Sequence, residues 1–198
     1  MAIVSAYKKS IHEIGLDPEK ESIIWDFYVT RSFASSASQK RSVKDFGISR
    51  IPLKEMFAAA GVAEGDAIII PCTTMPGTLQ KLALETTAKD ESKNTIELDI
   101  DVDRPRLCCI QKFSVTDEKG ITAQGSPAEC LLTHIRNAFA HGNTFFFDNG
   151  NVLLEDKDSN KITARILISV QTLIDWIVII DKIGSVYPCL QEEKRISD

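Results

Sequence analysis

The stretch that decides the fold covers residues 126–155 and reads SPAECLLTHIRNAFAHGNTFFFDNGNVLLE. Its first residues, Ser126, Pro127 and Glu129, have the spacing of a capping box with proline at the first helical position. They predict a helix that begins here. We expect this helix to end at Gly142, because glycine accepts the left-handed backbone conformation that closes many helices.

The second half of the same stretch predicts a β-hairpin. Two apolar segments, Thr144–Phe147 and Val152–Glu155, flank the dipeptide Asn149-Gly150, which is a strong signal for a tight turn. A final helix is expected over residues 162–183, where apolar residues are found nearly all round the helical wheel. Such a helix lies at the centre of a bundle or is shared with a second subunit.

The predicted helix after Ser126 has an unusual outward face. At about 100° per residue, its apolar stripe consists of Leu131, Ile135, Ala138 and Phe139. Arg136 and His141 fall outside this stripe, roughly 140° apart, with Asn137 and Ala140 between them. Because small residues let another helix approach closely, we expect a homodimer across this face.

A two-fold contact would bring two copies of Arg136 and His141 towards one cleft. Histidine titrates near neutrality and can move protons, while arginine can hold a phosphate through two hydrogen bonds. The pair therefore suits phosphodiester chemistry. The alternative is an exposed arginine and a histidine that caps the helix C-terminus. Of the other histidines, His134 is expected to be an ordinary, partly exposed side chain and His12 a structural residue.

Composition limits the classes of protein. The chain has 198 residues, of which 43% are apolar and 26% charged, as in ordinary globular domains. Its net charge of −5 excludes indiscriminate coating of nucleic acid. Five cysteines without a CxxC spacing indicate neither a disulfide framework nor a zinc site. With no signal peptide or membrane span in evidence, a cytoplasmic location is expected.

The rest of the chain predicts further helices and a β-rich middle. One amphipathic helix is expected near the N-terminus, with apolar residues at Ile3, Val4, Tyr7, Ile11 and Ile14, and an antiparallel one from Asp17 towards Ser38. Short helices are expected over residues 52–61 and 76–89, and strands over 67–71, 96–102 and 107–115, the last two as antiparallel partners.

The aspartates of residues 96–102 and just beyond allow one alternative function. Asp99, Asp101 and Asp103 share one face of the predicted strand, because side chains alternate along a strand. They would be the ligands of a metal-dependent enzyme, or simply a solvated outer face.

The segment from Ile135 to Gly142 resembles the R-x4-H motif of the HEPN superfamily (higher eukaryotes and prokaryotes nucleotide-binding). Asn137 matches the polar residue that usually follows the arginine. The resemblance covers about residues 126–183. It implies a mainly α (α+β) fold: a four- or five-helix bundle, with an inserted antiparallel β element at 67–115 and a β-hairpin between the last two helices. Residues 1–183 would be a single domain, followed by a mobile tail, 184–198.

The resemblance also implies a function. Many HEPN proteins are homodimeric, metal-independent endoribonucleases of toxin–antitoxin and antiviral defence systems, and they cut RNA through attack of a ribose 2′-hydroxyl. Carried over, Arg136 would hold the scissile phosphate, His141 would be the general acid or base, and Asn137 would orient one of them. No cofactor or metal is implied. RNA, a second copy of the chain and a cognate antitoxin or nucleotidyltransferase are the expected partners.

Some HEPN proteins lack nuclease activity, so a non-catalytic module that dimerises or binds RNA or a partner is the alternative.

Overall fold

The structure is a computed structural model, and it describes part of the chain. The backbone is described for residues 3–7, 15–31, 51, 53–59, 67–70, 86–90, 95–99, 107–111, 114–116, 122–124, 126–158, 161–182, 184 and 186–191. Side chains are described for residues 15–31, 51, 53–59, 126–157, 162–182, 184 and 186–191.

The described residues form helices and strands in mixed order. The helices are α1 (Pro18–Trp25), which continues as a π-helical turn (Asp26–Thr30), α2 (Leu53–Ala59), α3 (Pro127–Ala140) and α4 (Val170–Ile180). The strands are β1 (Ile3–Tyr7), β2 (Ala67–Ile70), β3 (Thr86–Asp90), β4 (Thr95–Asp99), β5 (Leu107–Gln111), β6 (Ser114–Thr116), β7 (Thr122–Gln124), β8 (Thr144–Phe146), β9 (Asn151–Asp158) and β10 (Lys161–Ser169). The α+β class is therefore confirmed, but the expectation of a mainly α chain is not met by the described residues, of which strands include at least as many as helices.

Most strands belong to one sheet. Its eight strands follow the order β2-β5-β10-β9-β8-β1-β4-β3, and β6 and β7 form a separate antiparallel pair. All neighbours in the large sheet are antiparallel except β2 and β5, which are parallel. The predicted hairpin is confirmed as β8 and β9, and Gly150 in its turn has a positive φ of 81°.

Helix α3 begins and ends where the sequence predicts. The Ser126 hydroxyl accepts a hydrogen bond from the Glu129 backbone N–H (3.2 Å), and the Glu129 carboxylate accepts one from the Ser126 N–H (2.9 Å). Both halves of the capping box are thus present, with Pro127 at the first helical position. After the helix, Gly142 has a φ of 63°, the left-handed conformation that favours glycine.

The cap of α3 allows a first prediction. Ser126→Ala removes the acceptor for the Glu129 N–H, so we expect it to lower the free energy of unfolding by about 1 kcal/mol. Urea denaturation followed by circular dichroism measures the change. Ser126→Thr, which keeps the hydroxyl, is the control and should stay close to the wild-type value. Equal losses in the two variants would contradict a role for the hydroxyl.

The core lies between the helices and one face of the sheet. The predicted stripe of α3 is buried, and it packs with Val152 and Leu154 of β9. Two hydrogen bonds tie α4 to other helices: the Trp176 indole N–H donates to the Met56 carbonyl (2.7 Å), and the Tyr28 hydroxyl donates to the Leu173 carbonyl (2.9 Å).

The prediction of an N-terminal helix is wrong, because residues Ile3–Tyr7 form strand β1. Their apolar spacing suits a helix, yet β1 pairs with β4 along its whole length, from Ile3 opposite Asp99 to Tyr7 opposite Thr95. Pairing with a distant strand overrides local periodicity here. The second predicted helix does begin as expected, with the Asp17 carboxylate accepting from two backbone N–H groups. Residues 8–14, including His12, and 32–38 lie outside the described part of the chain.

The prediction of one helix over 162–183 is also wrong. Residues Lys161–Ser169 form β10, and α4 begins only after Ser169, whose hydroxyl accepts from the Thr172 N–H (3.1 Å). Strand β10 lies between β9 and β5 and is buried on both faces, with Ile166 and Leu167 both fully enclosed. A strand covered on both faces is a continuous apolar run, which periodicity does not distinguish from a buried helix.

Three smaller expectations also change. The last residues of the predicted helix over 76–89 belong to strand β3 instead. Residues 76–85 lie outside the described residues. Strand β5 pairs with β10 and β2 instead of with β4. In the predicted tail, Tyr187 and Leu190 are buried in the core. Of the described helices, none has the length and apolar content to cross a membrane.

Candidate active site

The predicted site residues lie on the second half of α3 and just beyond it. Arg136 and Asn137 are half-buried, whereas Ala140 and His141 are exposed. Their outward position follows from the burial of Ile135, Ala138 and Phe139 on the opposite side. One edge of α3 is thus anchored in the core, while its other edge carries the polar groups of the motif.

His141 sits at the C-cap of α3, on a well-defined backbone. Its own N–H donates to the Asn137 carbonyl (2.9 Å), and the Asn143 N–H donates to the Ala138 carbonyl (2.8 Å). The cap is therefore made by backbone groups, while the imidazole is exposed. This arrangement holds the Cα of His141 in place and leaves its ring at the surface, as a residue that exchanges protons with a ligand requires.

Arg136 and Asn137 contact each other directly. The Arg136 guanidinium donates from Nη1 to Asn137 Oδ1 (2.8 Å), and Asn137 Nδ2 donates to Asp156 Oδ2 (3.1 Å). The Arg136 Nε is buried without a hydrogen-bond partner among the described residues. The amide of Asn137 therefore bridges the arginine of the motif and a carboxylate from strand β9.

The expectation that His134 is partly exposed is wrong. His134 is only 5% exposed, and its Nδ1 lies 2.7 Å from Asp156 Oδ2. Strand β9 packs across α3 at this point, so the side chain is enclosed. Asp156 Oδ1 also accepts from the Lys157 backbone N–H (2.9 Å). Asp156 thus accepts hydrogen bonds from two side chains of α3 and from one backbone N–H of its own strand.

Sequence reasoning missed both His134 and Asp156, although a signal for each is present. Asp156 follows Val152 and Leu154 at two-residue spacing, so it faces the same side of β9 as these core residues. His134 and Asn137 are three residues apart and therefore neighbours on the surface of α3. The sequence alone does not show that β9 packs across α3, and this packing is what brings Asp156 to His134 and Asn137.

The surroundings of Asp156 keep its carboxyl group ionised. Burial by itself raises the pKa, but the hydrogen bonds from His134 and Asn137, the charge of His134 and the Lys157 N–H outweigh it. The net result is a pKa below the ordinary value of 3.8. A carboxylate that accepts several N–H donors commonly behaves in this way.

This lowered pKa predicts how stability depends on pH. A carboxyl group with a lower pKa in the folded state stabilises the fold above its unfolded pKa, and this contribution is lost as the pH falls through the folded pKa. We therefore expect the stability gap between the wild type and Asp156→Asn to shrink as the pH falls below about 4.

Urea denaturation of both proteins from pH 6 to pH 3 measures this gap. A gap that stays constant over this range would contradict a lowered pKa of Asp156 in the folded protein.

A second set of charges lies on the opposite face of β9, because Glu155 and Asp156 are adjacent in a strand. Arg165, opposite Glu155 in the β9–β10 register, donates from Nε (2.9 Å) and Nη2 (2.7 Å) to Glu155 Oε2, and Lys157 Nζ lies 2.7 Å from Oε1. Burial raises the pKa of Glu155, but Arg165 and Lys157 bring it below the ordinary value of 4.5. Both Glu155 and Arg165 are 1% exposed, so the pair is a structural element of the sheet.

The described residues contain no group of three or more His, Cys, Asp or Glu side chains placed to hold a metal ion. The side chains of the alternative metal site are not among those described. Asp99 is described by its backbone only, and Asp101 and Asp103 lie outside the described residues.

The structure therefore brings Arg136, Asn137, His134 and Asp156 into one hydrogen-bonded chain, with His141 exposed at the end of the same helix. Such a set can bind an anion through the guanidinium and transfer a proton through the imidazole.

Comparison of the chain with protein-family models, with curated proteins and with solved structures found no match in any of the three.

Proposed function

We propose that this chain is a metal-independent endoribonuclease of a prokaryotic toxin or defence type, with Arg136, Asn137 and His141 at its active site. The observation that carries the proposal is the arrangement at the end of α3. An arginine held by a neighbouring amide is followed, on the same helix, by an exposed histidine with a fixed backbone. A guanidinium can offset the charge that develops on a phosphate and an imidazole can move protons, so the two side chains suit cleavage of a phosphodiester without a metal.

The reaction uses each group in a defined way. The 2′-hydroxyl oxygen of a ribose attacks the adjacent phosphorus, and the 5′-oxygen of the next nucleotide leaves, so the products are a 2′,3′-cyclic phosphate and a 5′-hydroxyl. His141 removes the proton from the attacking hydroxyl or supplies one to the leaving oxygen. The Arg136 guanidinium neutralises the negative charge that builds up on the phosphoryl oxygens.

The active form is proposed to be a homodimer formed across the outward face of α3. The small, exposed Ala140 lies beside the motif and would let a partner helix approach. Two-fold symmetry would then place a second Arg136 and His141 in the same cleft. One histidine would act as the base and the other as the acid.

A HEPN-like arrangement of the helices is part of the proposal. Residues of α1, α3 and α4 share one hydrophobic core, in which Ile24, Ile135 and Trp176 are completely buried. This common core supports a helical unit built around the motif, to which the large sheet adds a second layer.

Incubation of the purified protein with RNA in the presence of EDTA tests the function. We expect cleavage to persist, and the new ends to be cyclic phosphates that a phosphatase removes only after the ring has been opened. Arg136→Ala should lower the rate by about a hundredfold. Lys182→Ala, which removes an exposed cation of the same charge, is the matched control. Activity that disappears with EDTA and returns with a divalent metal would contradict the proposal.

A non-catalytic binding module is the second candidate, and one observation favours it. Asn137 already uses its oxygen for Arg136 and its nitrogen for Asp156, so the motif is partly satisfied within the chain. Sedimentation of the wild type and of Arg136→Ala distinguishes the two functions. Loss of the dimer without any RNA cleavage by the wild type would favour the module. Whether the chain is a nuclease or a binding module, a cognate antitoxin or nucleotidyltransferase would be its protein partner. Co-expression with the neighbouring gene would detect such a complex.

A further inference from the structure

A single carboxylate oxygen links the buried interior of the protein to the arginine of the motif. Asp156 Oδ2 lies 2.7 Å from His134 Nδ1 and 3.1 Å from Asn137 Nδ2, and Asn137 Oδ1 in turn lies 2.8 Å from Arg136 Nη1. The chain of contacts begins at a histidine that is 5% exposed and ends at a half-buried guanidinium.

This chain determines which way the Asn137 amide faces. Because a carboxylate only accepts hydrogen bonds, the NH2 group of Asn137 must face Asp156 and its oxygen must face away. The oxygen then meets Arg136, which only donates. With the amide reversed, two oxygens would face each other at one end and two donors at the other.

The carboxylate itself is held from two directions. Because the carboxylate only accepts, His134 must donate its Nδ1–H to Oδ2. The Lys157 backbone N–H donates to Oδ1 at 2.9 Å. The side chains of His134 and Asp156 are 6% and 7% exposed. Neither group is at the surface, and their contact with the motif is made through Asn137.

We propose that Asp156 and His134 are positioning residues of the ribonuclease site: they orient the Asn137 amide, which aligns the Arg136 guanidinium for the scissile phosphate. This inference rests on the proposed function. An arginine aligned in advance stabilises the transition state without reorganising during the reaction. Losing the alignment therefore lowers kcat more than it weakens RNA binding.

The test compares the wild type with Asp156→Asn in cleavage of an oligoribonucleotide, with kcat and KM measured separately. We expect kcat to fall about tenfold or more and KM to stay within about threefold. Ser126→Ala, which loosens the opposite end of α3 and does not touch the chain of contacts, controls for lost stability and should keep its kcat. Circular dichroism at the assay temperature establishes that each variant is folded.

His134→Phe provides a second variant, since it keeps an aromatic ring and removes the Nδ1–H donor to Asp156. Nuclear magnetic resonance of the Asn137 side-chain NH2, assigned by its loss in Asn137→Ser, adds a readout that does not depend on activity. We expect slow hydrogen exchange in the wild type and faster exchange in Asp156→Asn and His134→Phe.

The outcomes separate the two proposals. If the wild type does not cleave RNA, the proposed function fails and the positioning role fails with it. If the wild type cleaves RNA and folded Asp156→Asn and His134→Phe keep kcat within about twofold, the positioning role alone is overturned. Unchanged exchange of the Asn137 amide in both variants would overturn it as well.

Discussion

His141→Ala is expected to lower the rate of RNA cleavage by about a hundredfold to ten-thousandfold, while the free energy of unfolding changes by less than about 0.5 kcal/mol. The two expectations follow from one feature of the structure. The His141 side chain is exposed, and the cap of α3 depends on the backbone N–H of His141, which alanine retains.

Measuring both quantities separates catalysis from folding. Single-turnover cleavage of a labelled oligoribonucleotide gives the rate, and urea denaturation gives the stability. Lys182→Ala should match the wild type in both assays, since its side chain is exposed and far from the motif in sequence. A His141→Ala protein that cleaves RNA as fast as the wild type would remove His141 from the active site.

Arg165→Met is expected to cause the largest loss of stability, about 3 kcal/mol. Arg165 is fully buried and donates to Glu155 from two nitrogens, so its removal leaves a buried carboxylate without its main partner. Lys157 remains 2.7 Å from Glu155 Oε1, and this is why we expect a value at the lower end of the range for broken buried pairs.

The double variant Glu155→Met/Arg165→Met is the matched control for this prediction. Replacing both members of a buried ion pair by apolar side chains of similar size is often neutral or stabilising. We therefore expect the double variant to recover most of the stability that Arg165→Met loses, as measured by urea denaturation at pH 7. A double variant less stable than Arg165→Met would show that the charges themselves stabilise the sheet.

The features that were predicted correctly depend on short-range interactions. The capping box of Ser126 and Glu129 joins groups three residues apart, and the turn at Gly150 closes a hairpin between adjacent strands. Such interactions form wherever the right residues occur at the right spacing, so they can be recognised without knowledge of the fold.

The features that were predicted wrongly depend on pairing with other strands, some of them distant in sequence. Ile3–Tyr7 is a strand because β4, some ninety residues further on, pairs with it. Residues 161–169 form a strand because β9 pairs with them along their length, and because β5, from a more distant part of the chain, pairs with Ala164–Leu167 on the other edge. In both segments the apolar spacing is compatible with either a helix or a strand, and only the neighbouring element decides between them.

The same division holds for the site. The sequence by itself determined the candidate motif, because Arg136, Asn137 and His141 lie on one predicted helix, and helical geometry alone places them outside its apolar stripe. Only the tertiary structure decided that His134 is buried and that Asp156 joins it to Asn137. Asp156 lies 22 residues after His134. Its contact with α3 depends on where the sheet packs against the helix, and no local spacing encodes that position.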